Sequence, residues 1–171
     1  TPELGQINNT WNACYNSIYL ANLAVEQLEK ANAPAAKLAE VKILRAWFYY
    51  LLIDDFGDVP FYTDNNITTA QLKTQTRTQI FNWIVGEITA NADILPETKG
   101  GVFYGRFNKW AAYTFLAKMY LNAGVYTGTP KWAECLAACT KVASGGYTLH
   151  PGTANASSPL GNRYFELFGD T

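Results

Sequence analysis

The chain has 171 residues, 49% of them hydrophobic, which is single-domain size with enough apolar material to close a core. Thirteen Lys and Arg almost balance fourteen Asp and Glu, and charged residues make up only 16%, so no field favours nucleic acid or an anionic membrane surface. No apolar run reaches the roughly 18 residues of a bilayer-spanning helix, and Thr1 to Gln6 have neither the charged start nor the apolar core of an export signal.

The first strong period runs through Trp11, Cys14, Ile18, Ala21, Val25 and Leu28, whose steps of three and four draw one apolar stripe along a helix from about Asn9 to Lys30. Ala33-Pro34 restarts the chain, since Pro fits the first helical turn, and a second helix follows to about Asp55. Its later half, Ala46 to Ile53, is apolar on all sides and must be buried between neighbours. Gly57 ends it as a left-handed cap, and Pro60 cannot continue it. From there to Gln75 the chain is rich in Thr, Asn and Asp and is expected to be a surface excursion.

Thr76-Arg77-Thr78-Gln79 has the form of a capping box ahead of Ile80, Ile84 and Ile88, predicting a third helix from about Arg77 to Leu95 that Pro96 closes. A Gly-rich link, Gly100 to Gly105, leads to Asn108 as N-cap of a fourth helix ending near Gly124. Thr129-Pro130 opens a fifth, with Trp132, Cys135, Leu136, Cys139 and Val142 as its inner stripe and Gly145-Gly146 as its stop. Beyond it Tyr147 to Leu149 is expected to be extended, and Arg163 to Phe168 to form a last short helical segment.

Helices joined by short links pack as antiparallel hairpins, which pairs one with two and three with four and leaves the fifth waiting for a partner. The second members of the two pairs resemble each other. Ala46, Tyr49, Tyr50 and Gly57 recur in kind as Ala112, Phe115, Leu116 and Gly124, an offset of about 66 residues, close to two tetratricopeptide units of about 34. The expected fold is therefore all-α: antiparallel helical hairpins of tetratricopeptide-like type in a superhelical stack, with residues 1–171 as a single helical domain.

Catalytic chemistry finds little footing. The three cysteines cannot all pair, and Cys135 and Cys139 lie one turn apart on one helix, so Cys14, Cys135 and Cys139 are expected to be small buried hydrophobes. One histidine, His150, and no C-x-x-C motif leave no metal-ligand set, and no cofactor loop is present, since Gly100, Gly101 and Gly105 lack the phosphate-loop pattern. Asp54 and Asp55 point about 100° apart on a helix and do not flank one glycosidic bond.

Several segments, taken in order, resemble the SusD/RagB family of Bacteroidota outer-membrane lipoproteins. Trp11-x3-Tyr15-x2-Ile18-x2-Ala21-Asn22 is similar to its first core helix. Leu44-Arg45-Ala46, Tyr50 and Phe56-Gly57-Asp58-Val59-Pro60-Phe61 resemble its helix followed by a Gly-Asp-x-Pro turn, and Gly105-Arg106-x2-Lys109-x-Ala111-Ala112 its next signature. Ser144-Gly145-x-Tyr147-x-Leu149 and Tyr164-x2-Leu167-Phe168 complete the order. The resemblance implies a non-catalytic nutrient-capture protein on the extracellular face of the outer membrane. It would be held there by a lipid anchor and partnered with a SusC-like TonB-dependent transporter that imports glycans or peptides. The family's lipidated cysteine and long C-terminal portion have no counterpart here, which implies a fragment of a longer SusD-like protein. A tetratricopeptide-type adaptor holding a peptide in its groove is the alternative.

Under this resemblance Trp and Tyr are the candidate sugar contacts, because a flat ring packs on the apolar face of a pyranose while amides bond its hydroxyls. Most aromatics stand at helical spacing and are expected in the core. The candidates for ligand contact are Asn8, Asn9, Trp11 and Asn12 at the start of the first helix, with Tyr62 and Tyr104 on loops. Arg45, Gly57, Pro60, Gly105 and Arg106 are expected to be structural, Arg45 because a guanidinium inside an apolar run survives only when paired.

Overall fold

The computed structural model describes residues 5–148. The expected extension at Leu149 and helical segment at Arg163 to Phe168, with His150, lie outside the described residues. The helices are α1 (Gly5–Lys30), α2 (Ala35–Asp55), α3 (Arg77–Asn91), α4 (Lys109–Leu121), α5 (Ala123–Thr127) and α6 (Trp132–Ser144). Two short strands, β1 (Val59–Phe61) and β2 (Lys73–Gln75), pair antiparallel with Val59 opposite Gln75. This ribbon lies inside what the sequence reads as an excursion; three polar residues in β2 carry no strand period to announce it.

α1 and α2 form an antiparallel hairpin: Trp11 near the start of α1 meets Phe56 just past the end of α2, and Lys42 reaches Glu29 at 3.3 Å near the other end. α3 then runs antiparallel to α2, with Trp83 edge-on to Tyr49 at 5.3 Å and Arg77 donating from Nε to the Ile53 carbonyl at 2.8 Å. α4 lies along α2 in the same direction, since Arg106 bonds Glu40 before it and Phe115 packs on Trp47 and Tyr50 further on. Ala46, Tyr49 and Tyr50 of α2 and Ala112, Phe115 and Leu116 of α4 are all buried. The parallel course of these two helices is compatible with a tetratricopeptide-like stack. α3 lies more fully against α2 than against α4, whose main partner is α6.

The core sits where α1, α2 and α3 converge, around Ile18, Ile43, Tyr49, Leu52, Ile53, Ile80, Ile84 and Ile88, all fully buried. Local chemistry sets the ends of these helices. Thr76 and Gln79 exchange the two bonds of a capping box, each side chain accepting from the other's backbone N–H. Asn108 caps α4 by accepting from Ala111 N–H at 2.9 Å. Gly57 takes φ +81°, the left-handed geometry that a side chain resists. Pro34 stands one residue earlier than expected, outside the first turn, and its carbonyl accepts the N–H of Lys37.

Two expectations need correction. α4 ends at Leu121, three residues before Gly124, where the Asn122 side-chain amide donates to the Lys118 carbonyl at 3.0 Å; α5 then carries the chain to a left-handed Gly128. Gly124 itself is helical and lies against the Pro130 ring. The inner stripe of α6 is also rotated. Ala138 is buried and Cys135 and Val142 half-buried, but Trp132 and Leu136 are exposed by 61% and 69%, and Cys139 is exposed as well. Cys14 alone of the three cysteines is buried.

Candidate functional site

At the start of α1 the candidate residues do not converge. Asn8, Asn9 and Asn12 are exposed on the helix surface, while Trp11 is half-buried, edge-on to Phe56 at 5.0 Å and tilted on Tyr15 at 4.8 Å. The shallow recess there is lined by Gln6, Ile7, Thr10, Asp55 and Phe56, without Trp11 or the three asparagines.

Tyr62 is held by its backbone. The buried Tyr49 hydroxyl donates to the Tyr62 carbonyl at 2.6 Å and accepts its N–H at 2.9 Å, so one phenol does the work of a strand partner. Burial pushes the Tyr49 phenol well above its ordinary range, and Tyr62 is raised for the same reason. Arg45, 5% exposed, extends the clamp: Nη1 donates to Asn22 Oδ1 at 2.9 Å and to the Thr63 carbonyl at 3.2 Å, while Nη2 pairs with Glu87 at 3.1 Å. Its Cζ lies 5.4 Å from the centroid of the Trp83 ring. Pro60 adds a carbonyl that accepts the Tyr15 hydroxyl at 2.7 Å.

Tyr104 is 87% exposed and borders a cleft of about 740 Å³ between α2, α4 and the Gly-rich link. Trp47, Phe48, Phe103, Phe107 and Tyr147 supply further aromatic surface. Gly105, at φ +74°, turns the link so that Arg106 reaches Glu40 at 2.9 Å and covers the Phe103 ring at 5.3 Å. Glu40 thereby raises the affinity of Arg106 for its proton. Lys118 stands over the Tyr50 ring at 5.0 Å on the rim. Among the described residues the lining holds Lys118 and an Arg106 already paired with Glu40, and no carboxylate.

Two carboxylates elsewhere are engaged in structural bonds. Asp54 accepts the Tyr126 hydroxyl at 2.6 Å, and Asp58 accepts the Arg77 N–H at 2.8 Å. Among the described residues no group of three or more His, Cys, Asp and Glu is placed to hold a metal ion. No helix among them is long and apolar enough to cross a membrane.

A family model described as "Starch-binding associating with outer membrane" matches residues 1–121. The chain belongs to the SusD-like family. The starch-binding protein SusD of Bacteroides thetaiotaomicron is 35% identical over 113 residues, covering 65% of this chain and 20% of that protein. A SusD-like carbohydrate-binding protein from Bacteroides fragilis superposes with a TM-score of 0.75 at 24% identity, covering 91% of this chain and 30% of its own. A laminarin-binding SusD-like protein gives 0.68 at 24% identity, covering 86% and 31%. The SusD-like chain thus spans between 20% and 31% of the length of these proteins.

Reading the SusD-like sequence alone overlooks Arg77, Lys118 and Tyr19. Arg77 serves a carbonyl 24 positions away, and Lys118 looks like any exposed helix lysine. Tyr19 did leave a trace: it is an aromatic off the apolar stripe of α1, and it is 51% exposed.

Proposed function

We propose that this SusD-like chain is the helical part of a protein that captures glycan at the bacterial cell surface without cleaving it. The captured chain is passed to a SusC-like TonB-dependent transporter. The observation that carries this is the aromatic cleft at Tyr104. Exposed rings offer flat surfaces to pyranose C–H faces, and a volume of about 740 Å³ is within the range of small-molecule sites and holds a few sugar residues. No carboxylate stands among the described residues of the lining to protonate a glycosidic oxygen, which supports binding rather than hydrolysis. The family's description as starch-binding and associated with the outer membrane supports both ligand class and location, the protein sitting on the extracellular face through a lipid anchor.

Open, solvent-facing sugar sites exchange water for hydroxyl contacts with little net gain, so affinity is expected between roughly micromolar and millimolar, about 4 to 8 kcal/mol. Affinity electrophoresis of the full-length protein through gels containing starch, laminarin, xylan or pectin measures it directly. Retardation in at least one gel, at least halved by Tyr104→Ala and without release of reducing ends, is the expected result. Reducing ends whose release stops on replacing one carboxylate would overturn the non-catalytic assignment.

A further inference from the structure

The loop between β1 and β2 is pinned far more firmly than a strand connection requires. Besides the Tyr49 clamp and the bond from Arg45 to the Thr63 carbonyl, Asn22 donates from Nδ2 to Asn65 Oδ1 at 3.1 Å, and Asn65 donates from Nδ2 to the Tyr19 carbonyl at 2.9 Å. Asn22, Arg45 and Tyr49 are exposed by only 4%, 5% and 0%. Surface loops are ordinarily the mobile part of a fold, and each buried polar anchor would be costly if its partner moved away. Three such anchors from two helices therefore act to hold residues 62–65 in one geometry.

That geometry shapes a cleft of about 250 Å³ on the outer side of the loop, lined by Tyr19, Tyr62, Asp64, Asn65, Thr68 and Leu72 among others. Its chemistry is divided. Tyr19 and Leu72, 51% and 37% exposed, contribute apolar surface, while Asp64, Asn65 and Thr68 contribute a carboxylate, an amide and a hydroxyl. Asp64 Oδ1 accepts from the backbone and side-chain N–H groups of Asn66 at 2.8 and 3.0 Å, which fixes the carboxylate; Oδ2 has no partner among the described residues. Apolar surface beside fixed hydrogen-bonding groups suits a pyranose, whose ring has C–H faces and equatorial hydroxyls. Asp64 is the charged residue of the lining, so an acidic sugar is repelled.

We infer that the Tyr19–Asp64 cleft is a preformed subsite for one neutral pyranose, separate from the aromatic cleft. The inference rests on the glycan-capture reading but assigns a second site, whose lining carries a carboxylate where the described lining of the aromatic cleft has none. Arg45, Asn22 and Tyr49 are its positioning residues.

Saturation-transfer NMR on the full-length protein carrying Tyr104→Ala, which disables the aromatic cleft, with methyl glycosides of glucose, galactose, mannose and galacturonic acid tests it. At least one neutral glycoside should bind in the millimolar range, with galacturonate ten-fold weaker or silent. Tyr19→Ala and Asp64→Ala, both at exposed positions and each added to that variant, should each weaken the binding ten-fold or more at unchanged melting temperature. Absence of binding by every neutral glycoside, or binding indifferent to both Tyr19→Ala and Asp64→Ala, overturns the subsite. Polysaccharide retention that is lost only in Tyr104→Ala would then leave the glycan-capture reading standing; failure of all retention as well would remove both.

Discussion

The bundle of α1, α2 and α3 and the hairpin of α4 and α6 are built from comparably apolar sequence, yet they meet water differently. In the first, Ile18, Ile43, Leu52, Ile53, Ile80, Ile84 and Ile88 are fully buried, and a polar network of Arg45, Asn22 and Glu87 is drawn into the interior. In the second, α6 buries little beyond Ala138, and Leu121, Trp132 and Leu136 face outward. A helix covered on two or more sides fixes its own rotation by its apolar stripe. A helix covered on one side can satisfy that contact with small residues and leave its large ones exposed. The first region should therefore respond to single substitutions as a cooperative core, and the second as a one-sided contact.

The largest effect is expected at Arg45. Replacement by Met removes three hydrogen bonds and leaves Glu87, whose side chain is only 21% exposed, without its cation. Breaking a buried pair from one side costs about 3 kcal/mol, most of it from the partner left behind. Urea unfolding should show that loss, and adding Glu87→Gln should recover part of it. The Nε atom of Arg45 lacks a partner even in the intact protein, so the network is not fully satisfied and part of its value is positional. An unchanged unfolding midpoint for Arg45→Met would dissolve the contrast between the two regions.

A smaller effect marks the contact between α4 and α6. A Cβ built on Gly145 would lie 2.7 Å from Cδ2 of the Trp110 ring, and Trp110 is itself buried and tied to the Glu97 carbonyl by its indole N–H at 3.1 Å. Gly145→Ala should cost about 2 kcal/mol, the scale of overpacking a fitted site. Gly124→Ala is the control, since its Cβ would meet Pro130 at an ordinary 3.7 Å. Equal melting temperatures for the two variants would mean that α6 yields freely, and the one-sided contact would be looser than its geometry implies.

What could be read from the chain divides along the same line. The stripe of α1, the box at Thr76 and Gln79, the Asn108 cap and the left-handed Gly57 each depend on residues within a few positions, and local chemistry sufficed. The pairing of β1 with β2 did not show, because a register joining Val59 to Gln75 is set by tertiary anchors such as Tyr49. Gly145 read as a helix stop, although its decisive feature is the distant ring of Trp110. Among candidate contacts, Tyr104 and Tyr62 stood out as loop aromatics and both border clefts, whereas Asn8, Asn9 and Asn12 share a short segment without sharing a cavity. Proximity in sequence on a helix spreads side chains around the axis and does not gather them.

The smallest expected effect is also the most direct test of the outward face. Leu136 sits in the middle of α6 and would, on periodicity alone, be a core residue whose truncation to Ala costs about 2 to 5 kcal/mol. At 69% exposure little of its surface is removed from water on folding, so there is little transfer free energy to lose and no cavity to leave. Ala also has the higher helix propensity, which offsets part of any remaining contact. Leu136→Ala should therefore change stability by less than about 0.5 kcal/mol, the range of ordinary surface substitutions. Leu52→Ala in α2 serves as the reference, because that side chain is fully buried and its loss should fall in the full core range. Urea midpoints for the pair decide the matter: a Leu136→Ala loss approaching that of Leu52→Ala would show α6 covered on both faces in solution and erase the difference between the two regions.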